Sequence, residues 1–230
     1  MVSKTYPSNL SGLRARVYNR MLTASSAPGS VTDEKIRASL NDGQREVQNE
    51  LLLAFHARYF VKTDKNLSPV NNRIELPADF KRTVGLAKVF GSEWIEVALI
   101  PSSHYEKFRM REYPQQTGAL TYQREPWALV HNHYEFVGNG TVTGTYRHRW
   151  QYMIPDLQSD DDHTEIPEDY QEMLVDYAAW IMEEDSGTVE RADRLAMRYQ
   201  RRISQLRRTS KQISLNEDKR IRDVRGIRGF

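Results

Sequence analysis

The chain has 230 residues, enough for one or two domains with a real core, and at 39% hydrophobic and 10% aromatic it is not a wholly disordered polypeptide. It has no cysteine, which excludes disulfides, thiolate zinc sites, iron–sulfur clusters and cysteine nucleophiles. The formal net charge is only +2, but it is unevenly spread. Residues 1–150 carry +6. Residues 151–190 hold 13 acidic side chains and no Lys or Arg, and residues 191–230 hold 13 basic against 4 acidic.

Adjacent blocks of opposite sign invite contact, either inside one subunit or between copies. The longest purely apolar run is Leu51 to Phe55, so no segment is expected to span a bilayer. Met1 to Pro7 lacks the apolar stretch of a secretion signal, so the product is expected to stay in the compartment where it is made.

Residues 1–10 read as a flexible lead-in. Leu13, Val17 and Leu22 give a weak helical pattern over 11–22, and Thr23 to Ser30 reads as a loop. A stronger helix begins at Thr32, a good N-cap. Asp33 and Glu34 suit the positive end of the dipole, and Val31 and Ile36 stand at staple positions. Ile36, Leu40, Val47, Leu51, Ala54 and Phe55 follow helical spacing as far as about Tyr59. Asn41-Asp42-Gly43 is expected to kink or break it.

Residues 63–70 read as a polar loop. A short strand follows over Asn72 to Leu76, then a one-turn helix at Pro77 to Phe80 with Pro at its first position. From Val84 to Arg149 the texture is β: strands near 84–90, 94–98, 119–123, 127–131, 133–137 and 141–149. A short helix is expected within Pro101 to Met110, and a tight turn at Gly138-Asn139-Gly140. Helix returns at Pro167, with Tyr170, Met173, Leu174, Tyr177, Ala178 and Ile181 on one stripe. Ser186-Gly187 ends it. Thr188 caps a second helix with the face Val189, Ala192, Leu195, Tyr199, Ile203 and Leu206, so the two form an antiparallel hairpin.

The expected fold is α+β. Residues 11–62 and 155–208 make a helical bundle from both chain ends. Residues 71–150 make a small antiparallel β insertion of sandwich or barrel type. Residues 209–230 make an extended, mobile, basic arm.

Catalytic signatures are missing. There is no phosphate loop, dinucleotide fingerprint, nucleophile elbow or H-E-x-x-H motif, and no cofactor is called for. His131, His133 and His148 read as surface or turn histidines rather than metal ligands. Ser159 to His163 lacks the ligand spacing of a calcium loop and reads as a solvated acidic loop. Glu183 and Glu184 diverge by about 100° on a helix, so they cannot share one substrate as a glycosidase pair.

The basic end admits three readings: solubilising charge, nonspecific nucleic-acid contact, or an arm that orders on a protein partner. The third accounts for its apolar punctuation. The arm residues are Arg207, Arg208, Lys211, Ile213, Leu215, Lys219, Arg220, Ile221, Arg222, Val224, Arg225, Ile227, Arg228 and Phe230. Arginine is also the cation that best forms forked pairs at interfaces.

Three segments together resemble the head-to-tail adaptor proteins of phages. Asn72 to Arg82 is similar to their "LP-x-D-F-x-R" step, here Leu76-Pro77-Ala78-Asp79-Phe80-Lys81-Arg82. Tyr146 to Tyr152, reached through Gly140 to Gly144, resembles their closing strand. Ile166-Pro167-Glu168-Asp169-Tyr170 running on to Ala179 resembles their "IP-x-x-Y/H-x-x-L-V-x-Y-A-A" helix, and Glu183 to Gly187 matches the acidic turn before their last helix. The likeness covers roughly residues 31–208.

It implies a structural virion protein of short-tailed phages with no catalysis. The expected form is a ring of twelve copies under the portal, extending the channel for phage DNA and giving tail, nozzle or tail-fibre proteins a platform. The protein would sit at the head–tail interface of the virion and in the host cytoplasm during assembly, with no membrane contact. The C-terminal arm would grip the portal protein. Unlike flanks would supply the ring contacts: Asp160, Asp161, Asp162, Glu183, Glu184 and Asp185 against Arg191, Arg194 and Arg198. Alternatives are a nucleic-acid-binding protein using the tail, and a cell-wall hydrolase, an activity credited to some relatives that no residue here supports.

Overall fold

The computed structural model describes residues 8–22, 31–55, 59–101, 126–137 and 141–226, the last fifteen of these as helical backbone. The fold is α+β, and the chain divides into two compact units, Phe60–Met153 and the residues on either side of it.

The flanking unit is helical. Helix α1 spans Leu10–Leu22, α2 Asp33–Phe55, α3 Gln171–Asp185 and α4 Val189–Gly226. Thr32 starts α2: its hydroxyl accepts the Lys35 N–H at 3.3 Å and its carbonyl the Ile36 N–H at 3.1 Å. Val31 and Ile36 then pack into one cluster with Leu10, Leu13, Val17 and Met21 of α1, Leu40 of α2, and Leu174, Val175, Ala178 and Met182 of α3. These are the apolar positions that 3.6-residue spacing brings to one side of each helix.

The expected break at Asn41-Asp42-Gly43 does not occur, and α2 is continuous. A Cβ on Gly43 would lie 2.8 Å from Leu174 Cδ1 and 3.0 Å from Tyr177 Cδ1. The glycine is there because α3 crosses α2 at that point, not because the helix stops. A 3₁₀ turn over Glu168–Tyr170 follows Pro167 and leads into α3. Gly187, at φ +77°, ends the hairpin turn, with its N–H on the Glu184 carbonyl and the Thr188 N–H on the Glu183 carbonyl. This is the paired-bond pattern that closes a helix on a left-handed residue.

The C-terminal segment also corrects the expectation. Residues 209–226 are not extended: they continue α4 as helix to Gly226. Between Val189 and Arg225 there is neither glycine nor proline, so nothing local stops the helix even where few apolar residues support it. Residues 227–230 lie outside the described residues.

The central unit holds two four-stranded sheets, in the orders β1-β8-β3-β4 and β2-β7-β6-β5. The strands are β1 Val61–Leu67, β2 Arg73–Glu75, β3 Phe80–Phe90, β4 Glu93–Glu96, β5 Ala98–Ile100, β6 Pro126–Val130, β7 His133–Phe136 and β8 Thr145–Tyr152. Both sheets contribute to one core of Ile74, Leu86, Val97, Trp127, Tyr134, Val142 and Tyr146.

Three expectations change here. Residues 61–67 form a strand rather than a loop. Among the described residues it is an edge strand paired only with β8, and its exposed Lys62, Thr63 and Asp64 show no apolar alternation. Pro77 to Phe80 is a single hydrogen-bonded turn, Phe80 N–H to Pro77 carbonyl at 3.0 Å, rather than a helix. The insertion is not wholly antiparallel, because β5 runs parallel to β6. The chain leaves β4 at Val97 for the second sheet, and 25 residues separate Ile100 from Pro126, enough for a parallel return. The strand expected at 119–123, the helix within Pro101 to Met110 and the turn at 138–140 fall outside the described residues.

Candidate functional site

The question left open by the charge blocks is answered inside the subunit. Glu172 and Asp176 lie one turn apart on α3, and α1 brings Arg16 and Arg20 to them. Arg16 donates to Glu172 at 2.5 Å, and Arg20 bridges Glu172 and Asp176. From the other side Arg202 of α4 donates its Nε to Asp176 at 2.8 Å, with Arg198 4.0 Å away. Asp176 has no exposed surface. Burial works against the charged form of Glu172, but hydrogen bonds from Arg16 and Arg20 outweigh it and hold its pKa below the ordinary value.

The sequence contains an indirect signal of this three-helix network. Arg16 and Arg20, Glu172 and Asp176, and Arg198 and Arg202 are each like charges at i, i+4. Such pairs destabilise an isolated helix, so three of them point to partners on other helices.

The proposed interface residues separate accordingly. Asp160 accepts from Arg14 of α1, and its carbonyl takes the Ser11 N–H. Asp162 ties its own loop by accepting the Gln158 and Ser159 N–H groups at 2.7 and 2.8 Å. The Ser159 backbone bond, then the Ser159 hydroxyl and the Gln158 N–H, bring its pKa down to about 2. Glu183 is buried and accepts the Thr188 hydroxyl. Arg198 faces Asp176, and Arg191 is half-buried and also has a partner. Asp161, Glu184, Asp185 and Arg194 are exposed.

Of the arm residues, Arg207 belongs to the bundle. Its Nε and Nη2 grip both oxygens of the nearly buried Glu50 on α2, at 3.0 and 2.8 Å. Ser210 reaches the Ala54 carbonyl near the end of α2. Arg208 and Lys211 are exposed. Ile213, Leu215, Lys219, Arg220, Ile221, Arg222, Val224 and Arg225 lie on the helical backbone of α4, and Ile227, Arg228 and Phe230 beyond the described residues.

Helix α4 therefore carries its cations in two settings. One, Arg198 and Arg202 towards Asp176 of α3 and Arg207 towards Glu50 of α2, is matched by carboxylates of the bundle. The other carries Arg194, Arg201 and Arg208 at seven-residue spacing, with Lys211 and the 58%-exposed Met197 between and beyond them. None of these four cations pairs with a described residue. A cavity of about 180 Å³ beside this helix is lined by Asp169, Tyr170, Met173, Arg202 and Thr209, and its arginine is already committed to α3.

In the central unit the resemblance motif has a concrete task. Asp79 accepts the Trp150 indole N–H at 3.1 Å and the Lys62 ammonium at 2.6 Å, while its carbonyl takes the Met153 N–H at 2.8 Å. One residue of the turn thus pins β1, β3 and the end of β8. His148 is fully buried, with Nε2 2.9 Å from the Tyr134 hydroxyl and its ring stacked on Trp150. His131 stands in the β6–β7 turn at φ +53°, and His133 lies 3.6 Å from Glu135. Among the described residues no group of three or more His, Asp or Glu side chains is placed to hold a metal ion. No described helix is long and apolar enough to cross a membrane.

None of the curated proteins compared matches the chain. A model of the SU10 adaptor protein family matches residues 8–222, which takes in both units and most of α4. The match spans the Asp79 turn, the β8 strand and the α3 helix whose roles are described above. The chain belongs to the SU10 adaptor protein family, a family of phage head-to-tail adaptors.

Proposed function

We propose that this phage structural protein works as a ring of twelve copies beneath the portal. There it lengthens the DNA channel, offers a platform to tail or nozzle proteins, and catalyses no reaction. The observation that carries the reading is the geometry of α4. The helix packs in the bundle through Ala192, Leu195, Tyr199, Ile203 and Leu206, then runs sixteen residues past Ser210. At about 1.5 Å per residue that is roughly 24 Å of helix beyond its contact with α2. A cationic rod of this kind suits docking on a preformed neighbour, with Arg208, Lys211 and the basic residues after them as the contact set.

The ring contacts follow from what the bundle leaves unpaired. Arg194 and Arg201 on one flank would meet Asp161, Glu184 and Asp185 on the next, as a heterologous interface requires. Exposed pairs of this type steer assembly more than they stabilise it, so the free protein should be monomeric and close into a ring on its template.

The test is electron microscopy of the protein mixed with portal assemblies, full-length and truncated after Ser210. The truncated chain should fold and fail to dock. Normal docking by it would refute the arm assignment, and a stable dodecamer at micromolar concentration without portal would refute templated assembly.

A further inference from the structure

The register of the sheet β1-β8-β3-β4 divides its residues between a face packed in the core and a face that is partly exposed, on which Ala87 and Gln151 are buried. Along β8, Tyr146, His148 and Trp150 are buried, while Thr145, Arg147 and Arg149 are only half-buried. Cross-strand partners carry the partly exposed face outward. Arg149 stands opposite Thr63 on β1 and Gly85 on β3, Arg147 opposite Ala87, Gln151 opposite Arg82, and Thr145 opposite Val89, which faces Trp94 on β4. Three arginines and an indole therefore share one surface.

That surface is electrostatically unsatisfied. Neither Arg82, Arg147 nor Arg149 forms an ion pair with a described carboxylate. Glu96 lies on the same face, on the outer strand, and pairs with none of them. The Arg147 guanidinium stacks 3.8 Å from the Trp94 ring centroid, its Nε is buried without a partner, and Trp94 remains 51% exposed. Ala87 on this face is buried, but at Gly85, where the β3–β8 register shifts, an added Cβ would meet nothing within 4 Å. A glycine in mid-strand with open space above it lets another molecule approach the backbone.

We infer that this partly exposed face binds the phosphate backbone of nucleic acid, without reading bases. Guanidinium groups present the planar fork that matches phosphate oxygens and keep their charge at any working pH. Arg147 and Arg149 are two residues apart on a strand, about 6.6 Å, so the cations form a row. A row of like charges with a single aromatic fits a linear polyanion better than it fits a protein patch, whose centre is apolar and poor in charge. The site lies within residues 60–153, so it does not rest on ring formation or portal docking.

The test is binding of a short DNA duplex to the full chain, followed by fluorescence anisotropy over a range of salt concentrations. Each lost phosphate contact lowers the slope of log K against log salt by about 0.9. R82Q/R149Q should lower it by about 1.8, and R82Q/R147Q/R149Q by about 2.7. The double variant leaves the Arg147–Trp94 stack in place, and a wild-type melting temperature shows that it is folded. R194Q/R201Q/R208Q, on α4, should leave the loss caused by the sheet variants unchanged. Sheet variants with the wild-type slope would overturn the inference. So would polyglutamate competing as well as DNA, which would make an acidic polypeptide the occupant.

Discussion

The Arg20 guanidinium meets the Asp176 carboxylate across the α1–α3 interface, and that carboxylate has no exposed surface. Arg202 reaches the same group from α4, so three helices are tied at a point where no water can substitute for a lost partner. Replacing Asp176 by Asn keeps the volume and removes the charge. Arg20 and Arg202 keep partial access to solvent, which softens the loss. The expected cost is about 3 kcal/mol, near the lower end for breaking a buried pair. Urea denaturation checks it. A change under about 1 kcal/mol would show that the network contributes little to the bundle.

Gly43 makes a second, independent prediction. An added methyl would gain about 1 kcal/mol of helix propensity, but it would enter space held by Leu174 Cδ1 at 2.8 Å, and Leu174 is fully buried. Overpacking of this kind costs about 1–3 kcal/mol. G43A should therefore destabilise the protein slightly, while L174A alone should cost about 2–5 kcal/mol. In the L174A background the closest clash is gone while Tyr177 Cδ1 stays 3.0 Å away, so G43A should cost less there than in the wild type. A thermal-melt double-mutant cycle reads the difference, and additive effects would refute the contact.

These two positions show what the sequence could and could not reveal. The amphipathic stripes of α1, α2, α3 and the first half of α4 were readable because burial in a bundle writes a 3.6-residue period. Local propensity alone makes Gly43 a breaker, whereas its reason lies on another helix, at Leu174 and Tyr177. The strand β1 was invisible because an exposed polar edge carries no apolar alternation. The end of α4 has little apolar content, which points to extended chain, but with neither glycine nor proline before Gly226 nothing local stops the helix. The Glu172–Asp176 network left only the indirect trace of like charges at i, i+4.

Asp79 tests the task assigned to the family-like turn. D79A removes the acceptor for the Trp150 indole and the partner of Lys62. The lysine is half exposed, so its ion pair contributes little, and most of the loss comes from the indole N–H. The expected cost is about 1–2 kcal/mol. D79N, which can still accept that N–H, should cost less. Tryptophan fluorescence during denaturation follows Trp94, Trp127 and Trp150 of the central unit together with Trp180 on α3, and equal losses in the two variants would contradict the assignment.

His148 makes the central unit sensitive to acid. Burial drives its pKa down to about 4, with the Asp64 charge opposing weakly, whereas an unfolded histidine titrates near 6.5. Between those values the unfolded chain binds a proton that the folded chain rejects. Stability from this residue is therefore complete above pH 6.5 and falls as pH drops towards 4, by about 3 kcal/mol in all. Glu172 and Asp79 have pKa values lowered by their cationic and N–H partners against burial, so their contribution is present above the ordinary carboxylate pKa and is lost as pH falls below it. Melting temperatures measured from pH 7 to pH 4 should fall across this window in the wild type. In H148Q, which cannot titrate and can still bond to Tyr134, the fall should be much smaller. Parallel pH profiles for the two proteins would place the acid sensitivity elsewhere.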